Sequence, residues 1–183
     1  PNEKVIESTT GGLKFGMENV VFQPADALYP ILNGVSLTID PGKKVVVTGQ
    51  SGSGKSAMMA LFAGLYEQYQ GNVLVNDLSL EYINLEKFRG MVGDFLELQQ
   101  IFHGTILENI CMGRSHEEGQ LAEILELVGL KDYIYHAPLG LETQLQPEGK
   151  GLAKTFAFQI ILARGFMGNP KALIMENVLN YVD

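Results

Sequence analysis

Apolar residues change their spacing partway along this chain, and the change separates two kinds of structure. Up to about residue 95 they fall in short alternating or continuous runs bounded by Gly, Pro and Asn, the pattern of β-strands. Glu18–Phe22 and Asn72–Asn76 are such runs, Val35–Asp40 alternates as a half-buried strand, and Met91–Phe95 reads as another. Pro41-Gly42 is a turn, and the continuous run Val45–Val47 that follows predicts a buried strand. Ala57–Ala63 has a helical pattern. From Thr105 to Gly168 the signals are helical: Glu118 to Val128 sets Leu121, Ile124, Leu125 and Val128 on one face, and Gly151 to Phe166 is a second amphipathic stretch. Asn169-Pro170 breaks that stretch, and Ala172–Met175 reads as a buried parallel strand. Residues 1–16 are polar and Gly/Thr-rich, which predicts a linker ahead of one α/β domain over 17–183, with a helical insertion over about 99–168.

Composition narrows the class. A chain of 183 residues with 46% hydrophobic and 19% charged residues suits one soluble globular domain with a substantial core. The net charge of −8 argues against nucleic acid as a partner, whose footprint is a basic face, and against direct docking on anionic lipid. One cysteine, Cys111, permits no internal disulfide. No apolar stretch approaches the ~20 residues that span a bilayer, and no signal peptide is visible. The chain begins at Pro1, so it is expected to be a piece of something longer.

The candidate chemistry lies between the run at 45–47 and the helix at 57–63. Gly49-Gln50-Ser51-Gly52-Ser53-Gly54-Lys55-Ser56 is a complete phosphate-binding loop of the form G-x-x-x-x-G-K-S/T, continued by Ala57. Glycines let successive backbone N–H groups turn toward one anion. A helix N-terminus adds partial positive charge. Lys55 reaches the terminal phosphates, and the Ser56 hydroxyl takes a Mg²⁺ position. The motif predicts a nucleoside triphosphate site over Gly49–Ala57.

Beyond this loop the chain resembles the nucleotide-binding domain of an exporter-type ABC transporter, over about residues 17–183. Ile101-Phe102-His103-Gly104-Thr105-Ile106-Leu107-Glu108-Asn109-Ile110 is similar to L-F-x-G-T-I-x-E-N-I. Leu65-Tyr66-Glu67 with Gly71-Asn72-Val73, Phe88-Arg89, Ala163-Arg164 and the span from Pro170 to Asp183 resemble further family passages. The resemblance implies a P-loop NTPase (RecA-like) core, an antiparallel β part at the N-terminus and a helical subdomain. It also implies ATP with Mg²⁺, a second nucleotide-binding domain (the same or a different chain), a transmembrane domain as partner, and a place at the cytoplasmic face of a membrane.

Several positions depart from the family pattern. Pro24 stands where the adenine-stacking tyrosine is expected, with Tyr29 nearby as a substitute or as an ordinary surface or core residue. The Q-loop glutamine falls on Glu97, which either ligates Mg²⁺ or is a solvated loop carboxylate. The signature L-S-G-G-Q falls on Leu152-Ala153-Lys154-Thr155-Phe156, without the serine and glycines that approach the γ-phosphate of the opposite domain. The Asp-Glu pair falls on Glu176-Asn177. Glu176 keeps a charge for the metal. Asn177 occupies the general-base position, where a carboxamide takes no proton. A one-residue slip would make Glu176 the base and would put the Met175 thioether at the metal position, which does not suit Mg²⁺. The family's switch histidine belongs to a strand after Asp183, so the chain reads as C-terminally truncated. His103, His116 and His136 read as surface or packing residues. The expectation is an ATP-binding domain that hydrolyses poorly or not at all. The alternative is the competent half of a heterodimeric transporter. A guanine-specific class is disfavoured because no N-K-x-D sequence occurs, and a scaffold without nucleotide is disfavoured by the intact loop.

Overall fold

The computed structural model describes residues 12–96 and 100–176. The chain divides into two units, Pro1–Val92 and Gly93–Asp183.

In the first unit β1 (Phe15–Phe22) pairs antiparallel with β2 (Leu32–Ile39) on one side and with a later strand on the other. Its buried apolar side chains are Phe15, Met17, Val20 and Phe22, so the alternation slips by one between Met17 and Val20. A bulge at Glu18–Asn19 absorbs the slip: both registers shift there, and Asn19 takes a positive φ of 49°. The strand starts at Phe15, and Leu13 is already buried, so ordered structure begins ahead of position 17.

After β2 comes the glycine-rich loop and then α1 (Lys55–Phe62). α1 ends in a Schellman motif: Gly64 at φ 69° donates to Leu61 O (3.0 Å), and Leu65 donates to Ala60 O (2.9 Å). The Arg89 guanidinium bonds Gly64 O, its Nε at 3.1 Å, and holds the turn from outside. β3 (Gln70–Val75) and the short β4 (Leu78–Ser79) complete a sheet of order β2-β1-β3-β4. α2 (Leu85–Arg89) is capped by the Asn84 side chain, which accepts from Lys87 N. Phe15 of β1 meets Phe62 of α1 and Phe88 of α2 edge to face, at 5.3 and 6.5 Å between centroids, and these rings seal the core.

In the second unit β5 (Val92–Phe95) neighbours β8 (Ala172–Met175). Between them lie β6 (Gly104–Thr105), α3 (Ile106–Cys111), α4 (Glu118–Leu127), α5 (Lys131–His136), β7 (Gln144–Leu145) and α6 (Lys154–Met167). Most of the residues in these elements are helical. Ile106, Ile110, Leu121, Leu125, Leu130, Leu145, Ile160 and Ala163 form one apolar core. Thr105 and Glu108 close a reciprocal capping box on α3.

That core also encloses polar groups. The Asn109 side chain, fully buried, accepts from Phe102 N and donates to Phe102 O and Thr105 O, each at 3.0 Å. Arg164 of α6 donates from Nε to Asn109 O (2.8 Å) and from Nη1 to Gln100 O (3.1 Å), and its guanidinium lies 5.6 Å from the Phe102 ring centre. Burial lowers the pKa of Arg164 from its usual value, and the neighbouring Arg114 adds to the effect.

Two sequence expectations need correction. Residues 45–47 form no strand: Val45 and Val46 are exposed, at 55% and 85%. Three valines supply propensity, but a strand is one side of a ladder, and among the described residues none pairs with this run. Ala172–Met175 is a strand but only half covered, with Leu173 43% exposed. β5 is its neighbour in a two-stranded sheet, which leaves its other edge without a ladder among the described residues.

Two stability changes are expected. Asn109→Ala leaves three backbone groups around residues 102–105 without their partner, and each such loss costs about 1–3 kcal/mol; urea denaturation should report a loss of at least about 2 kcal/mol. Ala153 is the N-cap of α6, with no side-chain bond to the helix. Ala153→Ser should raise stability by about 0.5–2 kcal/mol in the same measurement.

Candidate functional site

The Gly49–Ser56 loop has the geometry of an anion cradle. It closes on itself through Ser53 N to Gln50 O (3.2 Å), and α1 starts from Gly54. Gly54 sits at φ 88°, and a Cβ there would lie 2.7 Å from Leu32 Cδ2 and 3.0 Å from Ile31 O. Only glycine fits that place, so the loop is wedged against the start of β2. Lys55 turns its ammonium back over the loop, donating to Gly49 O (2.9 Å) and Gln50 O (2.7 Å), with Ser53 Oγ at 3.4 Å.

These residues fit a polyphosphate. Gly54 brings no side-chain cap to α1, and no acidic residue lies in the first turn, so the protein leaves the positive end of the helix uncompensated. Phosphate oxygens would replace the neutral carbonyls now facing Lys55 by charged acceptors, which make the stronger bonds. The exposed Ser56 follows at the second helical position, an oxygen donor of the kind Mg²⁺ takes. No group of three or more His, Cys, Asp or Glu able to hold a metal occurs among the described residues.

Apart from Pro24 and Tyr29, which lie in the first unit, the other candidate positions belong to the second unit. Glu97 and Asn177 lie outside the described residues. Glu176 follows β8 and donates its N–H to Phe95 O (3.2 Å). Within 152–156, the stretch that the resemblance places at the signature, α6 starts at Lys154 from the Ala153 cap, with Lys154 and Thr155 exposed. A lysine in the first turn opposes the helix dipole. His103, His116 and His136 are all exposed. His116 Nδ1 lies 3.5 Å from Cys111 Sγ, and burial raises the pKa of that thiol. Tyr29 is 78% exposed, a surface position.

Two features were not singled out from the sequence. One is the polar staple of Asn109 and Arg164, whose residues stand 55 positions apart. The other is a cleft in the first unit, about 340 Å³, between residues 22–25 and 65–68. There Tyr66 lies on Phe22, with ring centres 4.7 Å apart and planes 30° apart. The pairing of β1 with β3 brings the ends of those segments together, and no local sequence signal marks it.

Comparison with known proteins agrees with this geometry. The family model described as ABC transporter matches residues 32–180. The chain is 31% identical over 155 residues to the colicin V secretion/processing ATP-binding protein CvaB of Escherichia coli, covering 84% of this chain and 22% of that protein. It is 31% identical over 167 residues to a putative export ATP-binding/permease protein of Rickettsia bellii (strain RML369-C), covering 91% of this chain and 29% of that one. A bacterial Atm1-family ABC exporter solved with ATP bound superposes with a TM-score of 0.90 at 24% identity, covering 100% of this chain and 32% of its own. The chain thus spans under a third of each of these proteins. No helix among its described residues is long and apolar enough to cross a membrane. An α/β fold carrying an intact phosphate loop, matched by the family model over most of its length, establishes that this chain belongs to the ABC transporter family, as an ATP-binding domain.

Proposed function

We propose that this chain is the ATP-binding domain of a membrane exporter, that it holds Mg·ATP through Gly49–Ala57, and that it hydrolyses the nucleotide slowly or not at all. The phosphate loop carries the reading: it is complete in sequence, wedged in place at Gly54, and topped by a lysine held over its mouth. Ser56 serves the metal, with Glu176 and Glu97 as further candidates. The domain works at the cytoplasmic face of a membrane, against a transmembrane domain and a second nucleotide-binding domain. By family resemblance the Gly104–Ile110 segment contacts the transmembrane partner; most of it is buried and stapled to α6 by Asn109 and Arg164, so the contact falls to the exposed Glu108 and the half-buried Leu107. Nucleotide then acts chiefly as a clamp between two such domains.

Slow hydrolysis rests on Asn177. A carboxamide orients a water but accepts no proton from it, and loss of a general base costs ~10²–10⁴-fold. The signature position adds to the deficit: Ala153 has no hydroxyl, and Lys154 and Thr155 carry side chains where bare backbone meets phosphate. The intact loop beside this damaged signature supports a second reading, in which a partner chain completes the site over Lys55. That composite site still carries Asn177.

Calorimetry with Mg·ATP tests binding. Lys55→Ala should weaken it roughly 10- to 100-fold, because hydrogen bonds to charged groups contribute about 1.5–3 kcal/mol. Equal affinity in the two proteins rejects the site. Phosphate release from the parent-length protein with its membrane partner tests the chemistry. Turnover near ~1 s⁻¹ or above, the low end for typical enzymes, overturns the slow-ATPase reading. Asn177→Glu alone should restore little, because groups that act as a unit are strongly non-additive.

A further inference from the structure

We propose that the cleft beside Tyr66 receives the purine base of the nucleotide whose phosphates occupy the Gly49–Ser56 loop, with the outer face of Tyr66 as the stacking surface. The proposal rests on the phosphate-site reading above and adds a residue that neither the loop motif nor the family resemblance designates.

Position is the first argument. The end of β1 is shared by both places. Phe22 pairs with Leu32, and Ile31 N donates to Phe22 O (2.8 Å). Leu32 and Ile31 are the residues against which Gly54 is wedged. On the other side Val21 pairs with Gln70, which brings the segment just before β3 alongside the same strand end. Loop and cleft therefore flank one strand terminus within one unit.

Preorganisation is the second. The Schellman turn at Gly64 fixes the direction in which the chain leaves α1, and Arg89 holds that turn. Phe22, 4% exposed, backs the Tyr66 ring, while Tyr66 itself is 44% exposed. One face is pinned and the other is open, so a planar base stacks there at little cost in side-chain ordering. Tyr29, 78% exposed, has no comparable support and would have to be ordered on binding.

Chemistry is the third. Pro24, at the position where a stacking aromatic was expected, lines this same cleft, so the aromatic face comes from the opposite wall. Gln23, Glu67 and Gln68 add polar side chains to the lining, and Gln23 Nε2 is oriented by Ala27 O at 2.8 Å. A carboxylate accepts from the amine of adenine or guanine. The volume, about 340 Å³, lies at the low end of the roughly 300–1,000 Å³ of small-molecule sites.

Calorimetry on the full chain with Mg·ATP and, separately, Mg·tripolyphosphate separates the base from the phosphates. Tyr66→Ala should weaken ATP about 5- to 150-fold, the range for one lost base–aromatic stack, and leave tripolyphosphate unchanged. Retained tripolyphosphate binding also certifies that the variant is folded. Tyr66→Phe should bind ATP like the wild type, and so should Tyr29→Ala. Wild-type ATP affinity in Tyr66→Ala, or a loss in Tyr29→Ala instead, overturns the proposal and leaves the phosphate site standing. If Tyr66→Ala loses both ligands while Tyr66→Phe keeps both, Tyr66 is structural and the proposal fails. If Lys55→Ala binds both ligands as well as the wild type does, the phosphate-site reading fails and this proposal falls with it.

Discussion

The first unit is organised around a missing side chain. At Gly54 the backbone of the phosphate loop approaches Ile31 and Leu32 so closely that a single carbon would collide, and the residue also occupies a left-handed conformation. That contact ties the start of α1 to the start of β2. β2 is tied to β1 by its ladder, and the far end of α1 returns to β1 and α2 through Phe15, Phe62 and Phe88. A loop made almost wholly of glycine and serine has little of its own to hold it. It is shaped by the wedge at one end and by Lys55, whose three protons reach its carbonyls and hydroxyl. Flexibility of sequence and definition of geometry coexist here because the restraint comes from outside the loop.

The second unit solves a different problem. It has to close a turn, residues 100–105, over the edge of its own core, with Ile101, Gly104 and Thr105 buried and Gln100, Phe102 and His103 exposed. Asn109 answers with a carboxamide that matches one N–H and two carbonyls, and Arg164 ties that turn to α6. Charge burial of this kind is costly, and the lowered pKa of Arg164 reflects the cost. Hydrogen bonds to carbonyls and the face of Phe102 offset it. The helix that starts at Lys154 and the Ile101–Ile110 segment are thereby one mechanical piece.

Most of this was legible where the code is local. The phosphate loop is a contiguous string, and α4 shows its buried face at helical spacing. What was not legible depends on partners distant in sequence. Val45–Val47 carries every local sign of a buried strand, yet strand formation is decided by a neighbour's backbone and not by three valines. The stacking of Tyr66 on Phe22 follows from the Val21–Gln70 register, and no spacing rule contains that register. Asn109 and Arg164 were noticed as motif letters, but their shared bonding follows from the packing of α3 on α6. Glu97 and Asn177, on which the proposed slow hydrolysis rests, are identified by family position alone.

The lone thiol gives the second unit a clock. Cys111 is buried at the end of α3, and burial keeps it protonated, so it is doubly shielded: little thiolate forms, and reagents cannot reach it. Alkylation therefore waits for at least a local opening of the end of α3. Its rate, followed at low and at saturating reagent, reads the frequency and the free energy of that opening without any engineered label. The first unit has no thiol at all, so the signal is confined to the half of the molecule that carries the staple.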